Sequence, residues 1–418
     1  MKNQIFPIVN DAACLYKWTW STIFLSRGTT SSCHRCRHWE IDENTILDFH
    51  NHPGKVADRE KMVNGEWPGN GCEYCRDVEQ AGGASERTTY INYLDNNYVP
   101  KELFSNPTAT TVTPRLLEVY FSNVCNQSCV YCTPGFSSQI EAEVKRFGAS
   151  KYNLHYSNSN PEVNYDKLLD RFWEWMRTKG HELTTLQVLG GEPMYQKEFD
   201  MCLDFFNANP NPNLEWRIFS NLKHDSVKFK EKIDRVRDLI ANKKIRSMEI
   251  VASLDCWGPE IEYARYGVKI DEWERNMLTV LNTEGIGISV HSTITPLTLP
   301  SMYQLFEKIA EWRKIKMVRY SWNTVVRPEI FNPYNFGPHL IPHIDRVLES
   351  LPPVEEWEQP QVEYFKGIRQ QMSKSTVDKK QIQDLVGFLS DIDARRRLNW
   401  QETFPSIASL VNELDCMQ

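Results

Sequence analysis

The sequence predicts an α/β protein centred on a partial, TIM-like (β/α)6 barrel, and three observations carry that expectation. Between Leu116 and about Val326, short apolar runs alternate with amphipathic segments; the alternation repeats six times; and the flanking regions do not share it. Strands alternating with helices imply a parallel sheet, and six units suit a partial barrel. A doubly wound open sheet is the structural competitor. In either arrangement ligands sit beyond the carboxyl ends of the strands.

The six strand-like runs are Leu116–Ser122, Thr185–Leu189, Glu215–Ser220, Met248–Leu254, Gly287–Thr295 and Met317–Asn323. The clearest helix between them spans about Pro161 to Arg177, where Leu168, Phe172, Trp175 and Met176 fall on one face at helical spacing. Further helices are expected over Lys197–Asn207, Ser226–Asn242, Asp271–Asn282 and Pro300–Trp312. The barrel is thus expected over 115–334. Before it, residues 1–100 are rich in Cys, Trp, Gly and Asn with weak periodicity, as in a small module organised by metal rather than by a large core. Residues 101–114 close a turn-rich, proline-containing stretch that reads as a linker. Residues 335–418 read as a polar helical extension, broken at Pro352–Pro353.

With 418 residues, the chain exceeds the size at which single cores stop growing. Hydrophobic content of 41% and charged content of 25% are those of a soluble globular protein. A formal net charge of −7 gives no footprint for non-specific nucleic-acid binding, so nucleic acid is disfavoured as a partner. The 13 Trp and 17 Tyr read first as core residues and second as the lining of a cavity. No membrane segment or secretory leader is evident, so the 11 cysteines are expected as reduced thiols in the cytoplasm. Eight of them cluster, five between residues 14 and 75 and three within 125–132, which in a reduced compartment points to metal.

Cys125, Cys129 and Cys132 follow directly on the first strand of the parallel unit. Three thiolates on one short loop can each bind a different iron of a [4Fe–4S] cube, leaving the fourth iron open to a ligand. Clusters normally take four cysteines, so three is informative. Zinc would require a fourth ligand, and none is apparent nearby.

Here the chain resembles the radical S-adenosylmethionine (SAM) superfamily over residues 115–330. The spacing C-x3-C-x2-C with aromatic Tyr131 before the last cysteine is that family's hallmark, and Gly190-Gly191-Glu192-Pro193 after the second strand is similar to its GGEP segment. The resemblance implies that Glu192 accepts from the ammonium of SAM, with the glycines permitting close approach. Ser220 and Asn221, closing the third strand, are expected near the ribose, and Ser253 and Asp255, closing the fourth, match an SxD segment. Arg265 is expected to pair with the methionine carboxylate as a bidentate fork. His291, Thr293 and Asn323 are candidates to face the cofactor or to serve packing. The activity this resemblance implies is reductive cleavage of SAM to a 5′-deoxyadenosyl radical, which takes hydrogen from a peptide or small-molecule substrate. Net oxidation or another C–H modification is expected, with flavodoxin or ferredoxin as electron donor. The competing readings are a non-catalytic zinc or iron–sulfur adaptor with a degenerate barrel, and an RNA-modifying radical SAM enzyme.

The pairs Cys33–Cys36 and Cys72–Cys75, read alone, suggest a four-thiolate zinc site. The segments Gly65–Cys75 and Glu79–Arg87 resemble instead the twitch or SPASM auxiliary-cluster modules, here placed before the barrel. That resemblance implies a second [4Fe–4S] cluster on Cys14, Cys33, Cys72 and Cys75 with Cys36 spare, the choice between Cys14 and Cys36 remaining open. Cys202, Cys256 and Cys416 lack partners at chelating spacing; Cys256, next to Asp255, is a candidate hydrogen donor.

Overall fold

A computed structural model of the chain describes residues 10–93, 98–153, 163–353 and 355–416. It is a mixed α/β structure built on one nine-stranded sheet. Six strands occupy the expected places: β4 (Leu116–Tyr120), β6 (Thr185–Leu189), β7 (Asn211–Ser220), β8 (Ile245–Ser253), β10 (Ile286–Ile294) and β11 (Arg319–Thr324). They pair in parallel and in chain order, β4-β6-β7-β8-β10-β11. A doubly wound sheet would reverse its order at a switch point, and this run has no reversal.

The two faces of the sheet differ as the order requires. Leu117, Val119, Val188, Trp216, Ile218, Ile250, Val290 and Trp322 point to one side and join the main hydrophobic core. Helices Tyr165–Lys179, Lys197–Ala208, Ser226–Ala241, Ile270–Leu281 and Met302–Trp312 bury their apolar stripes in that core. The opposite face is polar. Across its middle, Thr22 Oγ1 and Gln187 Nε2 donate to Glu118 at 3.2 and 2.8 Å, while Arg217 Nε and Ser289 Oγ both donate to Glu249 at 3.1 Å. Residues of this face such as Tyr120, Arg217, Phe219, Ser253 and His291 remain half-exposed. Side chains therefore alternate with period 2 between an apolar face under the helices and a polar face on which Glu118, Gln187 and Ser289 are also buried.

The first predicted helix begins at Tyr165, where Asn164 accepts from the Lys167 backbone N–H and so caps it; residues 161 and 162 lie outside the described residues. The remaining helices match their expected spans within three residues. The C-terminal region folds as helices Ile341–Ser350, Gln359–Lys374, Lys379–Arg396 and Pro405–Cys416, and its buried Phe365, Phe388 and Trp400 share the main core.

The N-terminal region, expected as a module apart, continues the central sheet. Strand β1 (Trp20–Phe24) runs parallel to β4 in register Trp20↔Leu116 to Phe24↔Tyr120, and β2 (Thr29–Ser31) and β3 (Trp39–Glu40) extend it antiparallel. A second, small core joins Ala13, Trp18, Cys36, Met62 and Cys72 to Val99, Leu103 and Val112. The stretch expected as a linker is therefore packed: Lys101–Ser105 is helical, and Trp18 Nε1 donates to the Ala109 carbonyl at 2.7 Å. Among the described residues no helix is long and apolar enough to cross a membrane.

Candidate functional site

The loop after β4 carries Cys125, Cys129 and Cys132 beyond the carboxyl end of the sheet. Its conformation is fixed from three sides. Ser138 Oγ accepts from the Cys125 N–H at 3.1 Å, and Ser137 Oγ donates to the Gln127 carbonyl at 2.8 Å. Strand β5 (Ser128–Cys129) pairs antiparallel with β9 (Arg265–Tyr266), setting Cys129 opposite Arg265. Buried Arg396, from the C-terminal helices, donates to the Ser128 carbonyl at 2.9 Å and to Glu143 at 2.9 Å. Burial pushes the Cys125 thiol up to about 12, and the neighbouring Cys129 adds to the shift. Cys129 and Cys132 are also raised, burial again leading. These thiols hold their protons unless a metal replaces them. Among the described residues no three His, Cys, Asp or Glu side chains stand at the spacing one metal ion demands. A four-iron cube makes no such demand, since each thiolate binds a separate iron.

The Gly190–Pro193 turn lies directly against this loop. Gly190 and Gly191 have φ of 89° and 55°, and a Cβ on Gly191 would stand 2.2 Å from the Val124 carbonyl oxygen. Close approach of the two segments requires glycine here. The Glu192 N–H donates to the Val124 carbonyl at 2.9 Å. Gln196 Nε2 lies within bonding distance of three carbonyls, Ser122 at 3.3 Å, Val124 at 3.0 Å and Gly190 at 2.8 Å.

Two of the expected site residues make bonds within the chain. Glu192, expected to face a ligand ammonium, is fully buried beneath the turn. Its carboxylate accepts from Met194 N at 3.1 Å, Ser220 Oγ at 2.8 Å and Asn221 N at 2.6 Å, with His224 Nε2 at 3.4 Å. Its lone pairs are used within the chain, so it acts on the site through Asn221. The Asn221 amide donates to Asn126 Oδ1 at 2.9 Å and approaches Cys125 Sγ at 4.0 Å. Pro193, also buried, opens the 3-10 turn that follows. Arg265, expected to fork onto a ligand carboxylate, already forks onto Asp255: Nε to Oδ2 at 3.0 Å and Nη2 to Oδ1 at 2.7 Å. Asp255, fully buried, also accepts from Tyr131 OH at 2.5 Å and Thr293 N at 2.8 Å. Burial would lower the Arg265 pKa, but the Asp255 charge holds it well above its ordinary value. Half-buried Tyr131 and buried Asp255 and Arg265 thus form one brace under the three-cysteine loop.

Ser253 ends β8 on the open face, opposite His291 in register. His291 bonds Ser321 Oγ through Nδ1 at 2.8 Å and approaches the exposed Asn323 through Nε2 at 3.4 Å. Burial lowers the His291 pKa, as does Arg265. Cys256 and Cys202 are buried, and burial raises both thiols. The reading from sequence missed Gln196, Asn126 and Lys223, whose Nζ donates to the Asn126 carbonyl at 2.6 Å.

All five N-terminal cysteines line one pocket with Lys17, Arg35, Met62, Trp67 and Arg87. Of the two alternatives for the fourth position, Cys14 and Cys36 both line the pocket, and the Cys36 sulfur lies 3.3 Å from Cys33 Sγ and bonds Cys72. Accepting from both thiols, beside Lys17, holds Cys36 well below its ordinary pKa, while Cys33 and Cys72 are raised. A Cβ on Gly71 would stand 2.0 Å from the Arg35 carbonyl, so this glycine lets the Gly69–Cys72 loop close on the Cys33–Cys36 turn. The Glu79–Arg87 segment closes the pocket wall, since Arg87 pairs with Glu79, donates to the Ala13 carbonyl at 2.6 Å and lies over Trp67. The pocket offers more thiols than a four-thiolate centre needs; among the described residues no three of them stand at the spacing a single metal ion demands, so it is the donor set, not its present spacing, that suits an iron–sulfur or zinc centre. It sits at the amino-terminal end of β1, whereas the three-cysteine loop sits beyond the carboxyl end of β4. The length of the paired strands, about 17 Å, lies between those ends.

No family model matches the chain, and a search of curated proteins finds no matching sequence.

Proposed function

We propose that this chain is a radical SAM enzyme whose sheet curves into a partial barrel, with a second metal centre on the N-terminal thiols. The observation that carries the reading is the junction of the three-cysteine loop with the GGEP turn, made by Glu192 N–H and Gln196 on Val124 at the carboxyl ends of sequential parallel strands. Two motifs 58 residues apart (Cys132 to Gly190) thereby form one rim.

In this reading Cys125, Cys129 and Cys132 would hold a [4Fe–4S] cluster, and that group would supply the chemistry of one-electron reductive SAM cleavage and hydrogen abstraction from a substrate C–H bond. The protein fixes the loop through the Tyr131–Asp255–Arg265 brace and the Glu192–Asn221–Asn126 chain. The half-exposed polar face receives a peptide or small-molecule substrate, and the second centre suits an electron acceptor for a net oxidation.

The test is anaerobic reconstitution with iron and sulfide. About eight iron and eight sulfide per chain are expected, from two four-iron cubes. Dithionite and SAM are expected to yield 5′-deoxyadenosine, and the C125A/C129A/C132A variant none. Zinc at the N-terminal thiols, no iron at the loop and no SAM cleavage would return the chain to the adaptor reading.

A further inference from the structure

Beneath the N-terminal pocket lie three buried basic side chains. Lys17, Lys55 and Arg59 are 2%, 0% and 0% exposed. Among the described residues Lys55 Nζ donates only to neutral oxygens, Ser21 Oγ, Thr30 Oγ1 and the Ser31 carbonyl, at 2.7–2.9 Å. The side-chain bonds of Arg59 reach the Lys17, His50 and Thr110 carbonyls and Asn51 Oδ1. Of the three, Lys17 meets a carboxylate, Asp58 Oδ2 at 2.6 Å, itself 4% exposed. Burial pushes Lys55 well below its ordinary pKa and lowers Arg59, so Lys17 is the one of the three whose charge a carboxylate fixes in place. The Lys17 ammonium also lines the pocket that gathers all five cysteines.

We propose that Lys17 is a positioning residue that sets the reduction potential of the metal centre held by the N-terminal thiols, with Asp58 as its counterweight. This rests on the reading of that centre as an iron–sulfur cluster. A fixed positive charge inside a low-dielectric wall favours the more negative, reduced state and raises the potential; a fixed negative charge does the reverse. The ammonium and the carboxylate therefore act with opposite sign on one centre from a single 2.6 Å ion pair.

The experiment is a redox titration, followed by visible absorption and electron paramagnetic resonance, on the full chain carrying C125A/C129A/C132A, so that one iron centre remains. Lys17→Met is expected to lower the midpoint potential, Asp58→Asn to raise it, and Lys17→Arg to leave it near the starting value. Because Lys17→Met strands a buried carboxylate, Lys17→Met/Asp58→Asn is titrated beside it and is expected between the two single variants. An intact cluster whose potential moves in the same direction in both single variants, or in neither, overturns the proposal and leaves the cluster reading standing. Loss of iron in Lys17→Arg as well as Lys17→Met makes Lys17 a folding residue and also overturns it. Zinc in place of iron at these thiols overturns both.

Discussion

Gln196 Nε2 lies 3.0 Å from the Val124 carbonyl oxygen, and that contact joins the two segments on which the proposed cofactor site depends. The same nitrogen reaches Ser122 and Gly190, so one amide gathers three carbonyls at the rim of the sheet. Replacing Gln196 by Leu strands acceptors at about 1–3 kcal/mol each where water cannot reach them. The expected outcome is a reconstituted protein that loses iron from the three-cysteine loop and makes less 5′-deoxyadenosine. Iron on the N-terminal thiols is expected to be retained. Iron analysis on Gln196→Leu, alone and with C125A/C129A/C132A, separates the two sites.

Gly191 tests the same junction from the backbone. At φ 55° any other residue costs roughly 1–3 kcal/mol, and here the added Cβ would also collide with Val124. Gly65, in the left-handed turn that ends helix Pro53–Val63, has φ 81° and nothing within 4 Å of the place a Cβ would take, so it reads the backbone contribution. Gly191→Ala is expected to lose more stability than Gly65→Ala in urea unfolding, the excess being the cost of displacing the loop.

The Asp255–Arg265 pair predicts strong non-additivity. Both partners are buried and doubly bonded, so removing either leaves an uncompensated charge, at about 3–5 kcal/mol. Asp255→Asn and Arg265→Met are each expected to be severely destabilised. The double variant is expected to fall well short of the sum of the two losses, which a double-mutant cycle in urea reads directly.

Much of the fold is legible because its signals are local. The alternation of strands and helices depends on short contiguous runs, and all six strands of the central run lie where it puts them. The three-cysteine loop and the GGEP turn are likewise visible, since each is a contiguous motif. The contacts those motifs make are not. Arg265 and Glu192 have the right chemistry for a ligand, yet partners ten and about thirty residues away use it, and spacing carries no trace of that. Counting along the chain leaves Cys14 and Cys36 as alternatives, whereas convergence of separate segments places Cys36 between Cys33 and Cys72. Gln196 is invisible for the same reason: its importance lies in three carbonyls that only the folded chain gathers.

The last prediction concerns acid. His50 is fully buried, and burial, with Arg59 and Lys55 nearby, pushes its pKa well below the ordinary value. Its Nε2 faces the Trp18 carbonyl at 3.1 Å and therefore carries the proton, leaving Nδ1 to accept from Ser21 Oγ at 2.9 Å. Lys55 donates to that same Ser21 oxygen, so protonating Nδ1 would set two donors against each other on one hydroxyl. The native state thus resists a proton that the unfolded chain accepts near pH 6.5. Stability from this group is fully present above that pH and falls as the pH drops below it, with a limiting slope of about 1.4 kcal/mol per pH unit. Urea midpoints measured from pH 7.5 to 5 are expected to decline, and His50→Asn is expected to start less stable but decline less steeply. Parallel curves for the two proteins would mean that His50 does not carry the acid sensitivity.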